Sequence, residues 1–414
     1  MKLIKTINTV LLTILISIPL FSQQVITLRG VVRDASTENN LEFASINLLR
    51  SKISNVTNTE GVFSLKIPYD AIQDTIMVSF LGYKSKRISA QELYNAGSMT
   101  INLEQSLVRL NPVTIRPQDA ASIVKMAVSR RGDNYSQEYA SMTGFYREMI
   151  KKRNNYVSIN EAVLDISKSP YKGFRTDRIG VFKARGNYDT RRIDTLLVKF
   201  QGGPNSALDL DIMKDPFLAV DPFEIEKIYD FKLTEPVTAD DRLFYVIEFD
   251  EKNKTSPEIY FRGKLFIDAE TFAIGRAEFS MNVENRENAN RYFVRRKPTS
   301  LRMDVEKASY VVNYKKIGQL WYFDYSRTEV TFEAKWDKKW FSNDYTIYSE
   351  LAITDISESK IEIMPQSRIR PRDIMTNRVN DFADPDFWQD YNIIEPDASI
   401  EKIISRILRQ LRRR

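Results

Sequence analysis

The chain contains neither histidine nor cysteine. Those two absences remove whole classes of chemistry. Ser-His-Asp and Cys-His nucleophilic sites cannot be assembled, and neither can zinc or haem centres held by imidazole or thiolate. No disulfide can form, and a lipid anchor through an N-terminal cysteine is excluded. A Gly-x-x-x-x-Gly-Lys-Ser/Thr phosphate loop is missing as well. Beyond Val10–Phe21 no run approaches the ~18 apolar residues of a membrane-spanning helix. The net charge of +6 is too mild to argue for a nucleic-acid partner. Two-carboxylate hydrolysis stays chemically open, but 55 acidic residues make some close pair nearly inevitable. No residue is singled out as catalytic, and no cofactor or metal site is expected.

What is present points to an exported sheet protein. At 414 residues, two or three domains are expected. An apolar content of 43% and a charged content of 28% allow a sizeable core. The 23 Phe and 20 Tyr, many in alternating runs, favour strands. Residues 1–22 read as a signal peptide: Lys2 and Lys5, then apolar Val10–Phe21, with cleavage predicted after Ser22. Loss of the two lysines would leave a net charge of +4, down from +6.

Residues 25–105 show short alternating strands at roughly ten-residue spacing, the pattern of a small β-sandwich. Gly61 is the expected positive-φ residue of the Glu60-Gly61 turn. Gly30-Val31-Val32-Arg33-Asp34, Phe43-Ala44-Ser45-Ile46, Thr59-Glu60-Gly61-Val62-Phe63 and Val78-Ser79-Phe80-Leu81-Gly82-Tyr83 resemble, in that order, the carboxypeptidase-regulatory-like, transthyretin-like domain. That resemblance implies an accessory module without peptidase chemistry, common in Bacteroidetes envelope proteins and TonB-dependent receptors. Residues 106–138 form a linker, with a strand at Leu107–Ile115 that resembles the one often following this domain. A helix is predicted over 117–132, with Pro117 at its start, Gly132 at its stop and Ile123, Val124, Ala127 and Val128 on one face.

Residues 139–365 read as a larger curved antiparallel sheet, a half-barrel or open barrel. Tyr139–Ile150 and Tyr156–Ser167 form a hairpin across Lys151–Asn155. It sets Arg147 and Glu148 against Asn160–Ala162, hence beside Glu161, either as a cross-strand ion pair or as charges facing a ligand. Phe145–Glu148 and Glu161–Leu164 resemble a segment that accompanies the first domain in Bacteroidetes proteins. Leu196–Phe200 reads as a further strand. Asp209, Asp211, Asp215 and Asp221 lack the spacing of an EF-hand and suit turns. Ile259–Met281 is the strongest hairpin, turning at Asp268–Thr271. Together with the meander around it, this hairpin resembles carriers of the LolA/LolB kind. In Leu320–Trp336 the apolar phase reverses, which predicts a bulge near Tyr325–Arg327. Phe261, Phe266, Phe279, Trp321, Phe332 and Trp336 are candidates to line an apolar site. Tyr292–Lys297 reads as an aromatic, basic strand.

Residues 366–414 contain a segment at Asp381–Ile394 that resembles the end of the same companion region. A helix follows, with Ile400, Ile403, Ile404, Ile407, Leu408 and Leu411 on one face. Lys402, Arg406, Arg409 and Arg412–Arg414 occupy the rest. The apolar stripe is the expected cover for the meander around Ile259–Met281, and the basic face suits an anionic membrane. The fold class is therefore mainly β: a sandwich, a linking helix, a curved sheet and a C-terminal helix. The expected role is a non-enzymatic binding or assembly module of the periplasm or outer membrane, with an envelope protein or a lipid surface as partner. The alternatives are a carrier or sensor of an apolar ligand, an accessory of a TonB-dependent receptor, and a carboxylate-based glycan hydrolase.

Overall fold

A computed structural model describes residues 24–106, 119–172, 176–188, 203–214, 224–254, 258–293, 299–337, 340–357, 361–382 and 391–411. The expected signal peptide, the Leu107–Ile115 and Leu196–Phe200 strands, Asp215, Asp221 and residues 383–390 lie outside the described residues.

Seven strands build the first unit: β1 (Val25–Asp34), β2 (Ser45–Leu48), β3 (Ser54–Val56), β4 (Val62–Pro68), β5 (Thr75–Ser79), β6 (Lys86–Ser89) and β7 (Met99–Leu103). They form two sheets, β4-β1-β7 and β3-β2-β5-β6. Alternate residues of β1, among them Ile26, Leu28 and Val32, enter a core with Phe63, Leu65, Ile76 and Leu93. Gly61 holds φ +70°, as its turn requires. Gly30 has a different constraint. A Cβ there would lie 2.7 Å from the Phe63 ring and 2.8 Å from the Met99 carbonyl, so only glycine lets β4 and β7 close on β1.

The second unit is one antiparallel sheet. Its strands are β8 (Ala140–Lys152), β9 (Asn155–Lys168), β10 (Arg178–Tyr188), β11 (Tyr229–Ala239), β12 (Arg242–Glu251), β13 (Phe261–Asp268), β14 (Ile274–Met281), β15 (Leu301–Ile317), β16 (Leu320–Trp336), β17 (Asn343–Ser357) and β18 (Arg368–Ile369). Their order is β11-β12-β13-β14-β15-β16-β17-β8-β9-β10-β18, and the sheet does not close on itself. The fold is thus mainly β, as the alternating patterns indicate.

Two packing faces follow from the pleat. On one, Ile123, Val124 and Ala127 of helix Ala120–Ser129 join Tyr135, Ala207, Leu208, Ile212 and Met213 against Tyr146, Ala277, Val312 and Phe323. On the other, Phe145, Tyr325 and Ala352 meet Val56 and Phe43 of the first unit, together with Ile393 and Ile394.

Several expectations need correction. The linking helix ends at Ser129, and Gly132 lies inside a separate turn, Arg131–Asn134. The Ser129 hydroxyl donates to the Met126 carbonyl at 2.9 Å, a local bond that competes with helix continuation, and the reversal delivers Tyr135 to the core. The bulge in β16 falls at Asp324: Asn313 faces Tyr325 and Tyr314 faces Phe323, so Asp324 is the extra residue. Tyr292 and Phe293 close a helix, Arg286–Phe293, steadied by an i,i+4 pair between Arg291 and Glu287. The C-terminal helix, Ala398–Leu411, buries Ile400 and Ile404 against Met149 of β8 and Ile159 of β9, so its described side chains pack there and not on the β13–β14 hairpin.

Candidate functional site

The pleat sends Arg147 of β8 and Glu161 of β9, which face each other in register, to the side of the sheet where the first unit docks. There they form a buried ionic seam. Arg147 Nε donates to Glu161 Oε1 at 2.6 Å, and Arg185 Nε of β10 donates to Glu161 Oε2 at 2.7 Å. Arg147 Nη2 donates to the Ile394 carbonyl at 2.6 Å. Burial opposes ionisation of Glu161, but Arg185 and Arg147 outweigh it and lower its pKa.

Two more charge pairs extend the seam. Arg327 pairs with Glu350, and its guanidinium lies 4.7 Å from the Phe43 ring centre of the first unit. Lys315 Nζ lies 3.1 Å from Asp324 and donates to Ser54 Oγ at 2.5 Å. Ser54 Oγ in turn donates to the Ile353 carbonyl at 2.8 Å. The segment from Tyr391 to Ile404 runs along this side and ties the units together. Asn392 accepts from the Lys66 N–H at 2.7 Å and donates to the Lys66 carbonyl at 3.0 Å, so its amide stands in for a strand residue on the β4 edge. Asn55 Nδ2 donates to the Ile393 carbonyl at 2.7 Å.

Glu148 points the other way. Tyr146 donates to it at 3.1 Å and Asn160 at 3.2 Å. Burial pushes its pKa up to about 7, and the two hydrogen bonds only partly offset that. On the same side, Lys168 Nζ lies 2.7 Å from Asp211 and 2.5 Å from Asp177. Asp211 also accepts from Tyr171 at 2.8 Å and Tyr314 at 2.7 Å. Burial would lower the Lys168 pKa, yet the two carboxylates raise it. Asp211, one of the four aspartates weighed for a cation, is thus satisfied by the chain's own ammonium.

The remaining candidates are dispersed. Trp321 packs edge-on to Phe244 at 6.2 Å, with its indole N–H buried and without an acceptor. Trp336 ends β16 opposite Leu301, half-buried on the same core. Arg406 and Arg409 lie in the C-terminal helix, and their side chains are outside the described residues. Sequence reasoning missed Arg185, Arg327, Glu350, Lys315 and Ser54. The signal for some was a charge embedded in a run buried on both faces, as in Ser349-Glu350-Leu351-Ala352-Ile353.

In the first unit, the four ordered motifs fall on β1, around Phe43, at the Gly61 turn, and at the end of β5 with the turn that follows it. Residues 28–115 match the model of the CarboxypepD_reg-like domain. This regulatory-like domain therefore supplies the first unit, including Ser54, Asn55 and Phe43 of the seam. No curated protein matches the chain. Solved structures similar to it include a LolA superfamily protein from Nitrosomonas europaea, 13% identical over 58% of this chain and 96% of that one, with a TM-score of 0.21. The MucA/MucB complex of Pseudomonas aeruginosa is 11% identical over 56% of this chain and 93% of that one, with a TM-score of 0.19. A Bacteroides fragilis protein of unknown function is 12% identical over 80% and 98%, with a TM-score of 0.15. At such scores the likeness carries no functional weight.

Proposed function

We propose that the protein is a non-enzymatic binding or assembly module of the bacterial cell envelope, working in the periplasm or at the outer-membrane surface and engaging another envelope protein. The buried ionic seam carries this reading. Its carboxylates, Glu161, Glu350 and Asp324, are each matched by an arginine or lysine and closed over by the regulatory-like domain and the Tyr391–Ile404 strap. Such charges fix the orientation of two units; they are not poised to act on a substrate. The charged and apolar N-terminal stretch supports export, and the accessory character of the regulatory-like domain supports a role beside a larger partner, a TonB-dependent receptor included.

The carrier alternative needs aromatic faces free to meet a ligand. Phe279 stacks on Tyr310 at 5.0 Å, Phe261 meets Phe279 edge-on at 5.5 Å, and Phe332 meets Phe293 at 5.9 Å. Those faces are engaged with one another, which favours core packing.

The test is photo-crosslinking in native envelope, with a photoreactive residue placed in turn at exposed Tyr69, Tyr94 and Leu233. The reading expects a discrete higher-mass adduct to one envelope protein from at least one face. Uncrosslinked monomer from every position would overturn it.

A further inference from the structure

We propose that two copies of the chain join edge to edge through β11, making one continuous antiparallel sheet across a two-fold axis at Phe231. This goes beyond the envelope-partner reading and does not depend on it.

β11 stands at one end of the open sheet. Its hydrogen-bond phase is set where it begins: the Lys252 N–H donates to the Ile228 carbonyl at 2.8 Å. Continued along the register, that phase turns the backbone groups of Asp230, Lys232 and Thr234 toward Asp250, Glu248 and Val246 of β12. Tyr229, Phe231, Leu233 and Glu235 therefore turn their N–H and C=O groups outward. Among the described residues, no backbone group pairs with them on that side.

The far half of the same strand is closed. A register shift between Thr234 and Val237 reverses the phase, and Pro236 offers no N–H. Beyond it the Thr238 carbonyl accepts from the Gly82 N–H of the regulatory-like domain at 2.8 Å, and Arg87 holds Asp241 at 2.7 Å. Bulges, prolines and covering loops are the usual protection of a sheet edge. Here they begin at the bulge, and Tyr229–Glu235 is left open over the length of an ordinary strand.

The open stretch is complementary to itself when reversed. With Phe231 opposite Phe231 of the second copy, Tyr229 comes opposite Leu233 on both sides of the axis. These are the outward-turned positions, so they exchange backbone hydrogen bonds. Leu233, 38% exposed in the single chain, gains an aromatic neighbour. The same register sets Asp230 directly opposite Lys232, twice. Both side chains are exposed, with Asp230 lying 3.4 Å from Lys252 of its own chain. Sliding one copy by two residues is the smallest step that keeps the hydrogen bonds. It brings Asp230 against Asp230 in one direction and Lys232 against Lys232 in the other. A free edge by itself accepts any extended segment, whereas this one has a register in which its own charges pair and neighbouring registers in which they repel. That charge pattern selects a second copy of the chain.

Purified chain is followed by analytical ultracentrifugation as its concentration rises, and the wild type is expected to show a monomer–dimer equilibrium. Asp230→Lys sets two pairs of ammonium groups against each other, and Lys232→Asp two pairs of carboxylates. Each variant is expected to weaken the dimer about ten-fold, and the double variant Asp230→Lys/Lys232→Asp to restore it. Circular dichroism should be unchanged in all three, because both positions are exposed. The chain has no cysteine of its own, so introduced thiols read the register directly. Asp230→Cys and Lys232→Cys chains, mixed and oxidised, are expected to give a disulfide-linked dimer, since directly opposed non-hydrogen-bonded residues have Cα atoms about 4.5 Å apart. Neither chain alone should do so, because each thiol then meets its own copy two residues out of register. A wild type that stays monomeric at its highest soluble concentration would overturn the proposal and leave the edge to a strand of another protein. So would a dimer that both single variants leave intact, or losses that the double variant does not restore. No envelope protein is present in this assay, so its outcome is separate from that of the crosslinking test, in which a Leu233 adduct of twice the chain mass would belong to this contact.

Discussion

Glu148 and Glu161 both occupy the β8–β9 hairpin, and they ionise differently because the pleat turns them to opposite faces. Glu161 meets two guanidinium groups, whereas Glu148 meets a phenol and an amide. The Glu148 pKa rises from 4.5 to about 7 on folding. Between those values the native state holds a proton that the unfolded chain has released, so this residue's contribution to stability falls as pH rises through the window and is flat above it. Glu148→Gln should therefore be more stable than wild type at pH 8 by on the order of 3 kcal/mol, with the difference fading toward pH 4. Urea titrations across that range check it, and parallel curves for the two proteins would refute it. Glu161 behaves oppositely. Its lowered pKa stabilises the fold above its unfolded value and loses that contribution as pH falls through the folded one. Glu161→Gln leaves Arg147 and Arg185 buried together without a counter-charge and should cost about 3–5 kcal/mol. Arg147→Met leaves the Arg185–Glu161 pair intact and should cost less. The opposite ranking of denaturation midpoints would show that the seam is not held by its shared carboxylate.

At the level of single elements, the hairpin at Ile259–Met281 was legible because its signals are local. Alternating apolar residues gave the strands, and Asp268 gave the turn. Asp268 Oδ1 accepts from the Thr271 N–H at 2.7 Å and hydroxyl at 2.8 Å, and Phe272 completes the reversal at φ +62°. Asp268 also holds Arg242, with Nη2 at 2.9 Å from Oδ1. Asp268→Ala loses the turn bonds and the ion pair together and should destabilise by about 3 kcal/mol, while Asp268→Asn keeps the acceptor and should lose about half that. Equal losses in chemical denaturation would assign the whole effect to charge. The bulge in β16 was less legible. Trp321 and Phe323 belong to the helix-covered face, but Tyr325 packs under Phe43 on the other, so a run of buried aromatics hid where the phase changed. Within the seam, Arg147 and Glu161 could be paired because one tight turn sets their register. Lys315 and Ser54 could not, since they are 261 residues apart and nothing local brings them together.

At the scale of the whole molecule the same limit decides where the C-terminal helix lies. Its apolar stripe showed that it must pack on something; only the tertiary structure places it over β8 and β9, beside the regulatory-like domain. The strap before it touches both units: Asn392 pairs with Lys66 on one side, and the Ile394 carbonyl receives Arg147 on the other. Each unit nevertheless has a hydrophobic core of its own. Cooperativity between them therefore rests on the seam and the strap. We expect one calorimetric unfolding transition for the whole chain, because opening the seam would expose Arg147, Glu161 and Arg185 together with the apolar contacts of Phe43, Val56 and Tyr325. A chain ending at Asp390 lacks the strap and the helix. It should unfold in two steps, with the sheet unit melting at the lower temperature, because Met149 and Ile159 lose their cover while the core of the regulatory-like domain is untouched. A truncated chain that still melts in a single transition at the wild-type temperature would mean that the direct contact of β3 with β17 couples the units unaided, leaving the strap free for another role.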